Sequence, residues 1–471
     1  MPPPFDLLVV GGGTAGLVGA YTGAALGARV AIVERSRLGG DCLWTGCVPS
    51  KALLAAAHAA AGARRAAAFG VRTGPVEVDF AAVMAHVRRA VATIEPVDGA
   101  PALEAAGVTV LTGQARFTGP GTVTVDGADV PWRRLLLVTG SEPVLPDADG
   151  LGHLDVVTTD DVWDLDQLPD PLVVLGGGPT GCELAQAFAR LGAAVTLVEQ
   201  APTLLAGEDA DAVAVVHAAL VADGVEVLAG HRLVRGLPGA VAVRPVQGGA
   251  ERELPCRTLL VAAGRRARTK DLGLDAAGVR LDDRGQVLVD ATLRTTNPRI
   301  WAAGDVTPLP KYTHTAGTFA GLAATNALLR LRRRVRLDAV PRVAYTDPEL
   351  AAVGVRTDDP GVRALTRHHT HVDRAIAEGR TEGFARLAVR RRRGRDRLVG
   401  ATVVGPRAGE TLAELTLAVQ RGLGPGALLA PIHPYPTYGD GPSNAALDDL
   451  RATLARPVPR AALRLLTRLL R

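Results

Sequence analysis

Residues 7–16, Leu7-Leu8-Val9-Val10-Gly11-Gly12-Gly13-Thr14-Ala15-Gly16, join four apolar residues to a glycine-rich turn, and a run of small residues follows. That order reads as strand, tight turn and helix. A second apolar run closes in Ala31-Ile32-Val33, and Glu34 stands 18 residues after Gly16. Glycines at 11, 13 and 16 permit the turn, the approach of backbone to a pyrophosphate and close packing of the helix, while Glu34 can accept from a ribose hydroxyl.

The pattern occurs twice. Leu172-Val173-Val174-Leu175 leads into Gly176-Gly177-Gly178-Pro179-Thr180-Gly181, and Val195-Thr196-Leu197-Val198 ends at Glu199, again 18 residues after the third glycine. Two complete units of equal spacing predict an α/β chain with two dinucleotide sites, Gly176, Gly178, Gly181 and Glu199 serving the second. At 471 residues the chain is long enough for several domains, each with its own core.

Five residues after Glu34 begins Gly39-Gly40-Asp41-Cys42-Leu43-Trp44-Thr45-Gly46-Cys47-Val48-Pro49-Ser50-Lys51. A regular helix holds residues i and i+5 too far apart for a disulfide, so a linked Cys42/Cys47 pair needs a distorted turn, which Gly46 allows. Pro49 suits a first helical turn, placing Cys47 near a helix N-terminus where the dipole favours thiolate. Two buried free thiols are the plainer alternative. A zinc site lacks a second ligand pair, and no metal site is expected. Because the first unit shares its domain with this sulfur, it is expected to hold FAD, and the second unit the nicotinamide. Glu199 would accept from a 2′-hydroxyl and repel a 2′-phosphate, and Gln200 adds no positive charge; NADH is favoured, with NADPH use left open.

Four cysteines, at 42, 47, 182 and 256, are too few for a secreted disulfide scaffold. With no charged start followed by an apolar run, a cytoplasmic chain is expected. No uninterrupted apolar run reaches the roughly 18 to 20 residues that span a bilayer. The formal charge is +5, and Lys occurs only at 51, 270 and 311, so 53 − 3 = 50 basic residues are Arg. They are spread along the chain without interleaved aromatics, which argues against nucleic acid as a partner. Arg390 to Arg393 and Gly394 lie between the alternating runs Phe384–Val389 and Leu398–Val404, a charged hairpin loop. Cys182 and Cys256 read as small buried residues.

Residues 39–54, GGDCLWTGCVPSKALL, resemble the redox signature of the pyridine nucleotide-disulfide oxidoreductases, the family of dihydrolipoamide dehydrogenase, glutathione reductase and mercuric reductase. Further blocks are similar in order: Leu137–Pro143, Leu260–Arg265 and Ile300–Val306, followed by a C-terminal half resembling the family's dimerisation domain. The resemblance covers nearly the whole chain. It implies two Rossmann-type domains, for FAD and NAD(P), plus a C-terminal α+β dimerisation domain, and a homodimer that passes electrons to a small-molecule acceptor. Cys47 would be the sulfur beside the flavin, and Cys42 the interchange thiol of a redox-active disulfide. Lys51 would lie by the flavin and pair with Glu183, and Asp305 would bond the ribityl chain. Gly40, Thr139, Gly140, Ser141 and Gly304 would complete the FAD contacts, with Gly264 on the nicotinamide side.

One position departs from the family. Its disulfide reductases carry a His-Pro-Thr motif that supplies an acid/base from the partner subunit, with a Glu five residues later orienting it. Here Tyr435-Pro436-Thr437 stands at the motif, Asp440 takes the Glu position, and His433 lies two residues before the tyrosine. A phenol is a poor base near neutral pH. Mercuric reductase is similar in having tyrosine there, and the runs Lys311–Gly317 and Asp373–Gly379 also resemble it. That enzyme's C-terminal Cys pair and N-terminal metal-capture domain have no counterpart in this sequence.

The expected order is an FAD-binding domain (1–153), an NAD(H)-binding domain (154–266), a central segment completing the FAD domain (267–338), a dimerisation domain (339–455) and a basic amphipathic tail (456–471). In the tail Arg460, Arg464 and Arg468 alternate with Leu463, Leu466 and Leu470, a pattern for packing on its own dimer or for peripheral membrane contact. The expected activity runs from NADH through FAD and the dithiol to a metal ion, a quinone or a small electrophile. Two alternatives stand beside it: a dihydrolipoamide dehydrogenase or other thiol-disulfide reductase using His433, and a non-catalytic, flavin-loaded protein docked at a membrane.

Overall fold

The structure is a computed structural model that describes residues 3–471. Both glycine units fold as read. Phe5–Val10 forms the central strand of a parallel five-stranded sheet in the order Ile300–Ala302, Trp132–Leu137, Phe5–Val10, Val30–Glu34, Val108–Thr112. Leu172–Leu175 is likewise central in a second parallel sheet, ordered Glu226–Ala229, Val195–Glu199, Leu172–Leu175, Thr258–Val261, Asp155–Thr158. Their near-continuous apolar strands suit a sheet covered on both faces. Each sheet carries a three-stranded antiparallel flap, Ala115–Val130 on the first and His231–Pro255 on the second.

Small residues decide how the helices pack on the first sheet. Helix Thr14–Ala25 lies against helix Thr313–Leu329, where Gly317 and Gly321 face Thr14, Val18 and Thr22. This contact brings residues 313–317 beside the first glycine turn, although the two stretches are some three hundred positions apart in sequence.

The C-terminal region is a five-stranded antiparallel sheet, Pro341–Ala344, Glu349–Gly354, Arg395–Gly405, Phe384–Arg392, Arg363–His368, backed by helices Ala408–Arg421 and Asp440–Ala455. The arginine run at 390–393 is a hairpin as expected, but both strands run further than the apolar alternation suggested. Pairing continues through Arg390–Arg397 to Arg392–Arg395, leaving Arg393 and Gly394 at the tip with positive φ. An ion-pair knot ties this region to the second sheet: Arg190, 3 % exposed, lies 2.9 Å from Asp347, which also pairs with Arg65 and Arg380. Cys182 and Cys256 are fully buried.

Candidate active site

The two glycine turns have nearly the same geometry. Gly11 and Gly176 take φ of 113° and 111°, a region open to glycine. A Cβ on Gly16 would lie 1.9 Å from the Gly11 carbonyl oxygen, and one on Gly181 would lie 1.8 Å from that of Gly176. Glu34 accepts from the backbone N–H groups of Gly12 and Ser36 at 2.7 and 2.8 Å, and Glu199 accepts from those of Gly177 and Ala201. Each carboxylate therefore steadies its own turn at the edge where a ribose would sit. Gly13 and Gly178 leave the space above the helix N-termini free of side chains.

The first turn opens into a cavity of about 550 Å³. Glu34 lies on its wall with Gly11, Gly13 and Gly40; Thr139, Gly140, Ser141, Gly304, Asp305 and Cys42 line it further on. Its chemistry fits FAD. The Thr45 hydroxyl, on the wall, is buried without a hydrogen-bond partner among the described residues, and a Cβ on Gly40 would meet the Gly13 Cα at 2.5 Å, narrowing the trough. Ser141 donates to Asp305 at 2.8 Å, fixing the carboxylate expected on the ribityl chain. Arg265 and Arg268 bind Asp41, the residue before Cys42, and so anchor the cysteine loop to the flap side of the cavity. Gly264, at φ 146°, leads into Arg265 with open space around its Cα.

Cys42 sits in the short helix Gly40–Trp44, and Cys47 begins the helix Cys47–Arg65 after the break at Thr45-Gly46. Both are free, half-buried thiols. A Cβ on Gly46 would approach the Asp41 carbonyl to 2.8 Å, so the tight return between the sulfurs depends on glycine there. Cys47 is pulled down to about 6 by the hydrogen bond from Cys42, with further help from the Thr313 hydroxyl and the Lys51 charge, against the opposing effect of burial. The Cys42 thiol is pushed up by the same hydrogen bond and by burial. In the reduced pair, thiolate is thus concentrated on Cys47 and the proton is kept on Cys42. Thr313 Oγ1 stands 3.1 Å from Cys47 Sγ.

Lys51, one helical turn beyond Cys47, reaches Glu183 Oε2 at 2.8 Å. Glu183 Oε1 accepts from the backbone N–H of Tyr345 at 2.9 Å, and the Tyr345 ring lies 4.2 Å from Lys51 Nζ. Cys47, Lys51, Glu183, Thr313, His314 and Tyr345 all line one large cleft between the sheets and the C-terminal region.

Cys42, Cys47, Lys51 and Glu183 are brought together within one chain. Tyr435, His433 and Asp440 are not, and the expected orientation of Tyr435 by Asp440 is corrected. The Tyr435 hydroxyl donates to Asp373 at 2.6 Å, whereas Asp440 accepts from the Thr437 backbone N–H. Both contacts follow from helix geometry: Asp440 opens the helix Asp440–Ala455 and turns back on its own N-terminus. His433 Nε2 lies 3.1 Å from Glu414. Tyr435 is 73 % exposed in the single chain. Sequence reasoning missed Thr313, Tyr345 and the Arg265–Asp41 anchor. Thr313 lay inside the quoted run Lys311–Gly317, but nothing local marked its hydroxyl as a sulfur partner; Tyr345 has no sequence signal.

Two glycine-turn cradles, a cysteine pair with its thiolate concentrated on one sulfur and a Lys–Glu pair beside it define a flavin- and nicotinamide-dependent oxidoreductase. The chain belongs to the pyridine nucleotide-disulphide oxidoreductases, whose profile matches residues 5–320, with the family's dimerisation domain over 340–446. Enzymes of this family use FAD and NAD(P)H, and the dimerisation domain supports a homodimer. The chain is 36 % identical to the dihydrolipoyl dehydrogenase of Thermus scotoductus, covering 94 % of this chain and 96 % of that one. It is 35 % identical to the mercuric reductase of Streptomyces lividans, with 94 % and 95 % covered. Among solved structures, LpdA of Mycobacterium tuberculosis superposes with a TM-score of 0.85 at 28 % identity, over 94 % of this chain and 99 % of that one. The HOCl-induced flavoprotein disulfide reductase RclA of Escherichia coli gives 0.81 at 26 %, over 93 % and 98 %.

Proposed function

We propose that this enzyme takes electrons from NADH and delivers them through the Cys42/Cys47 pair to an acceptor that needs little proton management: a metal ion, a quinone or a small electrophile. The bound flavin supplies the two-electron chemistry that links nicotinamide to sulfur. The observation that carries the reading is the sulfur pair. Cys47 is held as thiolate by Cys42, Thr313 and Lys51, while Cys42 keeps a proton that its neighbouring thiolate can accept when Cys42 attacks. A pair that moves its own proton has less need of an external imidazole, and Tyr435 stands where the family's disulfide reductases carry one.

In this reading Lys51 and Glu183 hold the cysteine helix and set the charge beside it, and residues 1–153 with 267–338 form the FAD-binding part. Residues 154–266 take NADH, Glu199 disfavouring a 2′-phosphate, and residues 339–455 make the dimer. Tyr435 would act from the partner subunit as a hydrogen-bond donor to the acceptor. The ion pair of His433 with Glu414 supports a structural part for that imidazole. The structural relative RclA has been solved as a Cu(II) complex, which is compatible with a metal acceptor here.

Anaerobic addition of one equivalent of NADH to the FAD-loaded protein tests the route. A long-wavelength thiolate–flavin absorption is expected, and it should be absent in Cys47→Ser. Bleaching of the flavin without that band would overturn the dithiol as the electron outlet. Reduction of lipoamide faster than of Hg(II), Cu(II) or a soluble quinone would overturn the acceptor class.

A further inference from the structure

Residues 456–471 lie beyond the stretch matched by the dimerisation domain, which ends at 446. They form the helix Pro457–Leu469, joined to the preceding helix by an extended Arg456 at φ −61° and ψ 151°. No residue of this helix is buried. Val458, Leu465, Leu466, Leu469 and Leu470 are 79, 60, 53, 73 and 86 % exposed. The sixteen residues contain five arginines and no Asp or Glu.

At about 100° per residue, Arg456, Arg460, Arg464, Arg468 and Arg471 fall along one side of the helix, and the leucines with Val458 occupy the rest of its circumference. The helix is too short and too charged to cross a bilayer, and no helix among the described residues is long and apolar enough to do so. A broad apolar arc bounded by arginine alone is what an anionic lipid surface takes: the leucines enter the headgroup–acyl boundary while the guanidinium groups stay at lipid phosphates. Nucleic acid would answer only the charge, and the segment has no aromatic side chain to stack on bases.

We propose that residues 456–471 are a peripheral docking helix for anionic membranes, lying in the plane of the interface and holding the enzyme at the lipid surface. The assignment does not depend on which acceptor the cysteine pair serves.

The test uses the full-length, FAD-loaded protein and vesicles of phosphatidylcholine alone or mixed with phosphatidylglycerol. Co-sedimentation is expected with the mixed vesicles and at least about tenfold less with phosphatidylcholine alone. Deletion of 456–471, and separately the double substitution Leu465→Asp/Leu469→Asp, should each remove binding while NADH–ferricyanide turnover is kept. Undiminished binding by the deletion variant would overturn the proposal. So would absence of binding by the intact protein, a change in oligomeric mass on deletion, or binding to single-stranded RNA as tight as to the mixed vesicles.

Discussion

Lys51 Nζ lies 2.8 Å from Glu183 Oε2, a contact that joins the cysteine helix of the first dinucleotide unit to the helix after the second glycine turn. The carboxylate is 6 % exposed and the ammonium 40 % exposed, so the pair spans the boundary between protein and cleft. Lys51 thereby holds a positive charge close to Cys47 without being buried itself.

Removing that charge should make the thiolate harder to form. Cys47 is thiolate above about pH 6 and thiol below it. In Lys51→Met the midpoint moves upward, and a rise of about one unit would cut the thiolate fraction at pH 6 from about half to about one tenth. Glu183→Gln leaves the Lys51 charge uncompensated and moves the midpoint the other way. Iodoacetamide trapping of the reduced enzyme across pH reads both.

Thr313 should act on the same equilibrium through a different bond. Its hydroxyl donates to the Cys47 thiolate, and loss of such a bond costs about 1 kcal/mol. Thr313→Val should raise the thiolate midpoint and weaken the thiolate–flavin band, and Thr313→Ser should restore both.

Tyr435→His tests the acceptor class. An imidazole at this position should raise lipoamide reduction at least about tenfold, within the usual range for a positioned acid/base, and leave NADH reduction of the flavin unchanged. Little gain would favour the reading in which His433 already supplies the imidazole of a disulfide reductase.

Glu199→Gln tests the nicotinamide preference. The amide still accepts a hydrogen bond but no longer repels a 2′-phosphate, so the KM for NADPH should fall about tenfold, equivalent to about 1.4 kcal/mol. Steady-state kinetics with both nucleotides measures it.

Asp347 should matter for stability. Burial opposes its ionisation, but the guanidinium groups of Arg380 and Arg190 outweigh burial and hold the carboxyl well below its usual range. Its contribution is fully present above the ordinary aspartate value near pH 4 and is lost as pH falls through the lower folded value. Asp347→Asn strands Arg190 and should destabilise the protein by about 3–5 kcal/mol, seen as a lowered Tm at pH 7 that converges on the unsubstituted protein's in strong acid.

Much of this site was legible in the sequence because its parts are local. The glycine turns, Cys42, Cys47 and the helix they start all lie within single strand–turn–helix units, where spacing maps directly onto backbone geometry. Lys51 and Glu183 were paired through family resemblance, since 132 positions separate them. Thr313, Tyr345, Asp373 and the Asp347 knot were not legible, because each contact is made where two distant elements meet. The partner chosen by Tyr435 depended on where the turn at 373 falls, which no spacing near residue 435 encodes.

The two glycine turns agree in φ, in the oxygen that excludes a Cβ and in the glutamate that clasps the loop, so neither turn can itself tell one dinucleotide from another. Selectivity is delegated to the surroundings: the first opens toward Cys42, Asp305 and a buried Thr45 hydroxyl, whereas the second has Pro179 and Thr180 at its helix start and no sulfur in reach of its ligand. The repeated unit is a generic socket. Retargeting this enzyme to another nucleotide is therefore a problem of rebuilding walls, and the sockets can be left untouched.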